Sequence, residues 1–247
     1  MTPVLALHSL FFDGRMFDDL AHRTGRTIIA PDHRGQGARE GEGGDLSIDA
    51  LAADTIVELE RIGEPVHLVG SSMGAYVAMV ATARRPELVR SLVLSAATAD
   101  AERRPELFGA LVAALRAEAP EQRAERIAST MFGQPFRSSG AAALVCWKST
   151  FASRSGAVAD AAEQVFARRE LWSEMTSITC PTLLLAGAWD TAKSPADMAA
   201  ISARTGCAAP VVFEQSGHTP FVEEPDQVAA VLAPWWTKIE NERKTPA

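Results

Sequence analysis

One pentapeptide limits this chain more than any other stretch: Gly70-Ser71-Ser72-Met73-Gly74, a G-x-S-x-G sequence. It follows a short apolar run, Pro65-Val66-His67-Leu68-Val69. It precedes a helical pattern from Ala75 to Ala83, which Arg84-Arg85-Pro86 closes. Strand, tight turn and helix is the context in which this motif presents a serine. The turn is sharp, so the central serine must adopt a strained conformation with its Oγ exposed. The flanking glycines let the strand and helix backbones approach each other. Ser72 is thus the candidate nucleophile. A serine at a helix start can also be a plain N-cap, so the pentapeptide needs support from the rest of the chain.

A serine hydroxyl is a weak nucleophile at neutral pH. It needs a base, and the base needs an orienting carboxylate. Both are available downstream. Thr182-Leu183-Leu184-Leu185-Ala186-Gly187 reads as a buried strand, with Ala188-Trp189-Asp190 in the loop at its end. Pro210-Val211-Val212-Phe213-Glu214 reads as another, followed by Gln215-Ser216-Gly217-His218. Asp190 and His218 each fall just past the carboxyl end of a strand, where open parallel sheets place their ligand sites. Taken singly, Asp190 could cap the next helix and His218 could be a surface histidine. The three residues in the order Ser, Asp, His, each at a strand end, point to one site.

A fourth element lies near the amino terminus. Val4-Leu5-Ala6-Leu7 is a short strand, and His8-Ser9-Leu10-Phe11-Phe12-Asp13-Gly14 follows it. A tetrahedral intermediate needs two backbone N–H groups aimed at its developing charge. One comes from the residue after the nucleophile, Met73, and the other from this loop. Leu10 is the favoured second donor, with Phe11 next. His8 is expected to order the loop.

The segments LALHSL, APDHRGQG, LVGSSMGAYVAM, RSLVLSAAT, PTLLLAGAWD and SGHTPFVEEPD together resemble the α/β-hydrolase fold superfamily over nearly the whole chain. His8-Ser9-Leu10 with Gly14-Arg15-Met16-Phe17, and the stretch from Val165 through Asp190, most resemble its 3-oxoadipate enol-lactonase branch. That branch usually has Asn where this chain has His8, and Trp where it has Phe17. The resemblance implies a serine hydrolase using Ser72, Asp190 and His218, the residues already picked out. It also implies an ester or lactone substrate and no cofactor.

The expected fold class is α/β: a mostly parallel sheet of about six strands flanked by helices, with a helical lid inserted before the strand near residue 182. Strands are expected at 3–7, 27–31, 66–70, 91–95, 181–186 and 210–214. Helices are expected near 16–23, 47–62, 73–84, 195–204 and 225–238. Ile48, Leu51, Ala52, Thr55, Ile56 and Leu59 repeat at three and four, with Ser47 to cap that helix and Gly63 to close it. Lys238 to Ala247 should fray. The superfamily usually opens with two strands that have no counterpart here. This leaves a sheet edge for a loop or a second copy, a homodimer, to cover. Asp32 and Arg34 read as an ion-paired turn. Gly35, Gly37, Gly41, Gly43 and Gly44 lack the spacing of a phosphate cradle and read as a surface turn.

Residues 1–99 and 176–247 form the expected base domain, and residues 100–175 a helical cap. Helical patterns run over Glu106–Ala117, Glu121–Met131, Ser139–Phe151 and Ala157–Glu170. The cap holds ten acidic and ten basic residues, so the base carries all of the net charge of −7. That charge argues against nucleic acid as a partner. A lid shields the site from water and shapes the acyl pocket. Phe11, Trp147 and Phe151 are the candidate substrate contacts, with Phe132 and Phe136 as further wall candidates. Lys148, Arg137 and Arg15 are the cations that could meet a substrate carboxylate.

Five histidines and three cysteines show no metal-ligand spacing, so neither metal nor cofactor is expected. Cys146, Cys180 and Cys207 read as reduced and mostly buried thiols. There is no leader pattern and no apolar run of about 18 residues, so no membrane association is expected and a cytoplasmic location is. Two other readings compete with an ester or lactone hydrolase. One is a C–C bond hydrolase of vinylogous diketones using the same triad. The other is a non-hydrolytic ligand sensor on the same fold. A haloalkane dehalogenase or epoxide hydrolase would want Asp at position 72.

Overall fold

A computed structural model describes residues 1–103 and 105–242. Six parallel strands form one sheet: β1 Val4–Leu7, β2 Ile28–Ile29, β3 Val66–Ser71, β4 Val89–Ser95, β5 Thr182–Gly187 and β6 Val211–Phe213. Their spatial order is β2-β1-β3-β4-β5-β6. Helices α1 Asp18–Thr24, α2 Ile48–Ile62, α3 Met73–Arg84, α10 Pro195–Thr205, α11 Pro220–Glu223 and α12 Pro225–Glu242 accompany the sheet. Between β4 and β5 run α4 Pro105–Ala117, α5 Pro120–Met131, α6 Gln134–Ser138, α7 Ala142–Ser153, α8 Val158–Phe166 and α9 Trp172–Ser177. Among the described residues, no helix is long and apolar enough to cross a membrane.

The strands are continuous apolar runs because a parallel sheet is covered on both faces. Every residue of β1 and β3 is buried. Helix α3 is buried from Met73 through Thr82 and packs against β3, α2 and α9. An all-round apolar helix belongs in such a place. Helix α2 is amphipathic and starts and stops where the sequence predicts. Ser47 Oγ accepts the Ala50 N–H at 3.3 Å, and Gly63 closes the helix at φ 76°. The chain leaves β1 for β2 on one side and later returns to β3 on the other. The order therefore reverses beside β1, and a crevice opens at the carboxyl ends of β1 and β3.

Several expectations are corrected. Arg34 pairs with Asp54 at 2.5 Å and not with Asp32. Asp32 instead accepts the backbone N–H groups of Gly14 (2.7 Å) and Ala38 (2.6 Å). Cys146 is exposed, and Cys180 and Cys207 are half-buried. Edge strand β2 is two residues long, shorter than the expected 27–31. Helix α8 stops at Phe166, and the Leu171 N–H returns the chain to the Ala99 carbonyl at 2.7 Å. Helix α9 packs on α3 and α10, so the helices above the strand ends are α4–α8. Lys238–Glu242 do not fray, because Ile239 is buried and Glu240 is tied into the fold. Residues 243–247 lie outside the described residues.

Glu240 anchors the end of the sheet opposite the crevice. It accepts the Thr2 N–H at 2.9 Å and pairs with Arg26 at 2.8 Å. Arg26 holds its carboxyl down to about 2. Beside it the buried His67 shares a 2.7 Å hydrogen bond between Nδ1 and Ser91 Oγ and stacks on Trp236. Burial pushes the imidazole down to about 4, and it pushes His8 and His33 down as well. The unfolded chain takes up these protons near pH 6.5, whereas the folded chain refuses them. The resulting stability is present above about pH 6.5 and is lost as pH falls toward about 4. The melting midpoint should therefore fall across that window, and His67→Gln should flatten the slope. A flat wild-type midpoint would contradict this account.

Candidate active site

The turn after β3 is built as the glycines require. Ser72 sits at φ 51°, ψ −111°, a region that costs a residue with a side chain about 1–3 kcal/mol. Its N–H donates to the Ser95 carbonyl at 2.9 Å, and its own carbonyl accepts from Ala75 (2.9 Å) and Tyr76 (3.2 Å). A Cβ at Gly70 would collide with the Gly74 and Ala75 backbone, and one at Gly74 with the Leu7 carbonyl. The two glycines let α3 start directly against β3 and β1.

His218 and Asp190 meet Ser72 there. His218 Nδ1–H donates to Asp190 Oδ2 at 2.7 Å, and His218 Nε2 lies 2.7 Å from Ser72 Oγ. The acceptor-only carboxylate fixes the tautomer, which leaves Nε2 free to accept the Ser72 proton. The second Asp190 oxygen accepts the Ala192 and Lys193 N–H groups, each at 2.8 Å. All three side chains are buried, Ser72 being 9% exposed. The His218 loop is held by Glu223, whose Oε2 accepts the N–H groups of Gly133 (2.7 Å) and Gly217 (2.9 Å). Its Oε1 accepts the Thr219 N–H at 3.0 Å. Burial pushes the Glu223 carboxyl up despite these bonds.

The loop after β1 borders the same place. His8 Nε2 accepts the His33 N–H at 3.0 Å, so its Nδ1–H donates to the Ser9 carbonyl at 2.9 Å. A neutral, doubly bonded imidazole orders the loop. Ser9 Oγ lies 2.9 Å from Ser71 Oγ and ties the loop to the turn. Phe11 is held at φ 76°, and its N–H donates to Gln36 Oε1 at 3.0 Å. Of the two loop donors weighed from sequence, Phe11 is thus engaged. The N–H groups of Leu10 and Met73 have no acceptor among the described residues. From the helical insertion, the buried Arg154 pairs with Asp13 at 2.8 Å and reaches the Phe11 carbonyl at 3.3 Å.

Ser72, His218, Leu10 and Phe11 line a common cavity. Its walls include Tyr76, Phe108, Leu111, Met131, Val165 and Phe166. Four of its residues, Phe108, Leu111, Thr130 and Ala192, also line a groove along α4 and α5. Phe11 is where the sequence expectation put it. Trp147 and Phe151 are not among the lining residues. They pack on Phe12 with ring centroids at 4.6 and 5.1 Å, and Phe132 joins them at 5.9 Å. Phe136 packs on Phe132 with ring centroids 5.1 Å apart and the rings tilted by 46°. These aromatics seat the insertion on the base.

The three expected cations are elsewhere too. Lys148 pairs with Glu125, Arg15 pairs with Asp13, and Arg137 is exposed. The cations that line the cavity are Arg168 and Lys193. Single arginines and lysines in polar stretches carry no sequence signal that separates them from surface charges. Glu223 and Gln36 were missed for the same reason. Among the described residues no group of three His, Cys, Asp or Glu side chains could hold a metal ion.

Residues 4–231 match the model of the alpha/beta hydrolase family, and the chain belongs to that family. Over 99 residues it is 34% identical to the sn-1-specific diacylglycerol lipase ABHD11 of Mus musculus, covering 38% of this chain and 32% of that protein. The chain spans about a third of the length of the curated relatives it matches. Its fold is similar to that of an esterase from Thermogutta terrifontis solved with malate bound. That match has a TM-score of 0.87 and 24% identity, covering 97% of this chain and 90% of that one. It is also similar to an enol-lactonase from Burkholderia xenovorans LB400, with a TM-score of 0.85 and 20% identity, covering 96% and 92%. At these identities the likeness is one of fold, and it extends to an esterase as readily as to an enol-lactonase.

Proposed function

We propose that this protein hydrolyses carboxylic esters or lactones through an acyl-enzyme on Ser72. The observation that carries the reading is the unbroken hydrogen-bonded line from Asp190 through His218 to Ser72, 2.7 Å at each step, at the mouth of a largely apolar cavity. Membership of the alpha/beta hydrolase family supports it. So do the lipase, esterase and enol-lactonase named among its relatives and structural neighbours.

In this reading His218 Nε2 takes the Ser72 proton as Oγ bonds to the carbonyl carbon. Asp190 holds the imidazole in place and stabilises its positive form. The Met73 and Leu10 N–H groups bind the oxyanion, each such donor contributing about 3–4 kcal/mol in the transition state. As the C–O bond breaks, His218 returns the proton to the departing oxygen. Water then adds to the acyl-enzyme with its proton going to His218. Collapse restores Ser72 and frees the acid. With a lactone the leaving oxygen stays tethered to the acyl chain. Helices α4–α8 form the lid that keeps bulk water from the acyl-enzyme. Free cysteines suit a reduced, cytoplasmic setting.

The test is kcat/KM on a short-chain aryl ester, a long-chain aryl ester, an enol-lactone acid and a vinylogous 1,5-diketone. Ser72-dependent turnover of an ester or lactone is the expected result. A Ser72-dependent preference for the diketone would replace this reading with C–C hydrolysis. Ser72 that stays unacylated by every activated ester would overturn it.

A further inference from the structure

The cavity wall is largely apolar, and nearly every polar side chain on it is already engaged. Ser72 and His218 bond to each other at 2.7 Å. Lys193 pairs with Glu102 at 2.9 Å. Thr130 Oγ1 donates to the Arg126 carbonyl at 3.2 Å. Arg168 donates to the carbonyls of Val165 at 3.3 Å and Asp100 at 2.8 Å. The remaining polar wall residue is Tyr76. It is 2% exposed, yet among the described residues no hydrogen bond reaches its hydroxyl. Nor is that hydroxyl one of the unpartnered side-chain atoms sealed from all accessible space. It therefore opens onto the cavity that its residue lines.

A buried tyrosine hydroxyl normally finds a partner, and leaving it without one is unfavourable. Burial pushes the Tyr76 phenol up to about 12 against the pull of Arg168, with Glu102, Asp190 and Asp197 adding to the rise. At neutral pH it is a donor in want of an acceptor. Three carboxylates already act on it, so the acceptor that suits it is a neutral oxygen and not a further anion. The Arg168 guanidinium, 3.9 Å over the ring, holds the phenol in place. Tyr76 is one helical turn beyond Ser72 on α3, roughly 6 Å along the axis. An oxygen bonded to the phenol is thus a few atoms away from a carbonyl carbon at Ser72 Oγ. The leaving group departs in the first half-reaction, whereas the acyl group remains through both. A donor within the cavity therefore acts longest on the acyl part.

We infer that the Tyr76 hydroxyl donates a hydrogen bond to a neutral oxygen on the acyl chain, so that the preferred substrates are esters of hydroxy- or alkoxy-substituted acids. This rests on the hydrolase reading of Ser72. It makes Tyr76 a specificity-determining residue and not a participant in bond breaking.

The test uses three 4-nitrophenyl esters of equal chain length. They are the pentanoate, the ethoxyacetate and the 3-methoxypropanoate, in which an ether oxygen replaces the third or the fourth carbon. Tyr76→Phe keeps the ring under Arg168 and removes only the hydroxyl. It should lower kcat/KM for at least one ether ester relative to pentanoate by about three- to tenfold, and leave pentanoate itself within about threefold. A second arm needs no variant. Tyr76 is the one tyrosine of the chain, so protein carrying tyrosine isotopically labelled at Cζ gives a single phenol carbon signal. With Ser72 phosphonylated, that signal should move in a 2-methoxyethyl or ethoxymethyl adduct and stay in place in the butyl adduct. Unchanged ether-to-pentanoate ratios in Tyr76→Phe, an equal loss on all three esters, or one signal position in all adducts would overturn the assignment and leave the hydrolase reading intact. Ser72 that takes up neither ester nor phosphonate would overturn the two together.

Discussion

Replacing Ser72 with alanine is expected to lower kcat by about 10⁶-fold on any ester the protein turns over, as removal of a triad nucleophile does elsewhere. The size of the effect follows from how little else the side chain does. Its hydroxyl contacts His218, whereas the bonds that hold the turn run through the Ser72 backbone to Ser95, Ala75 and Tyr76. Alanine keeps those bonds and the same strained φ. The variant should melt close to the wild-type protein and lose its chemistry. Residual catalysis over water would come from the Met73 and Leu10 N–H groups and from binding alone. Measured kcat above a tenth of the wild-type value would sink the assignment of Ser72 as nucleophile.

Asp190→Asn should fold normally and lose about 10⁴-fold in kcat through the wrong histidine tautomer. The direction can be derived from the carboxylate's three partners. One oxygen accepts two backbone N–H groups, from Ala192 and Lys193. An asparagine must turn its carbonyl oxygen toward those donors and its NH₂ toward His218 Nδ1. Nδ1 then has to accept, the proton moves to Nε2, and the imidazole presents a donor to Ser72 where it should present an acceptor. Steady-state kinetics of the purified variant, with circular dichroism as the folding control, test this. A loss smaller than about tenfold would mean that a different carboxylate orients His218.

The parts of this site that were legible in the sequence are those tied to a local pattern. Ser72 is fixed by two glycines and by the strand and helix on either side. Asp190 and His218 each follow an apolar run, and a parallel sheet gathers the ends of such runs at one edge. The rest depends on partners far apart in the chain. Trp147 and Phe151 are aromatic residues one helical turn apart on α7, which suits a pocket wall and a packing surface equally well. Phe12, which no local pattern favours over Phe11, decides for packing. The strained φ of Phe11 turns these neighbours to different surroundings, one to the cavity and one to the aromatic cluster. Arg168 is indistinguishable from Arg169 beside it until the fold buries one and leaves the other exposed. The length of α12 was hidden in the same way, since Glu240 finds Thr2 and Arg26 only once both termini meet.

The pairing of Arg154 with Asp13 and the Phe11 carbonyl has a consequence for traffic. It bolts the insertion to the loop that presents the Leu10 N–H, and Arg123 adds a 2.5 Å hydrogen bond to the Arg154 carbonyl from α5. Lifting the insertion on that side would pull the loop away from the serine it serves. The groove along α4 and α5 shares Phe108, Leu111 and Thr130 with the cavity, and neither Arg154 nor Asp13 lines it. The post that holds the loop thus stands apart from the groove, and a movement that widened the groove would leave the frame around Ser72 assembled.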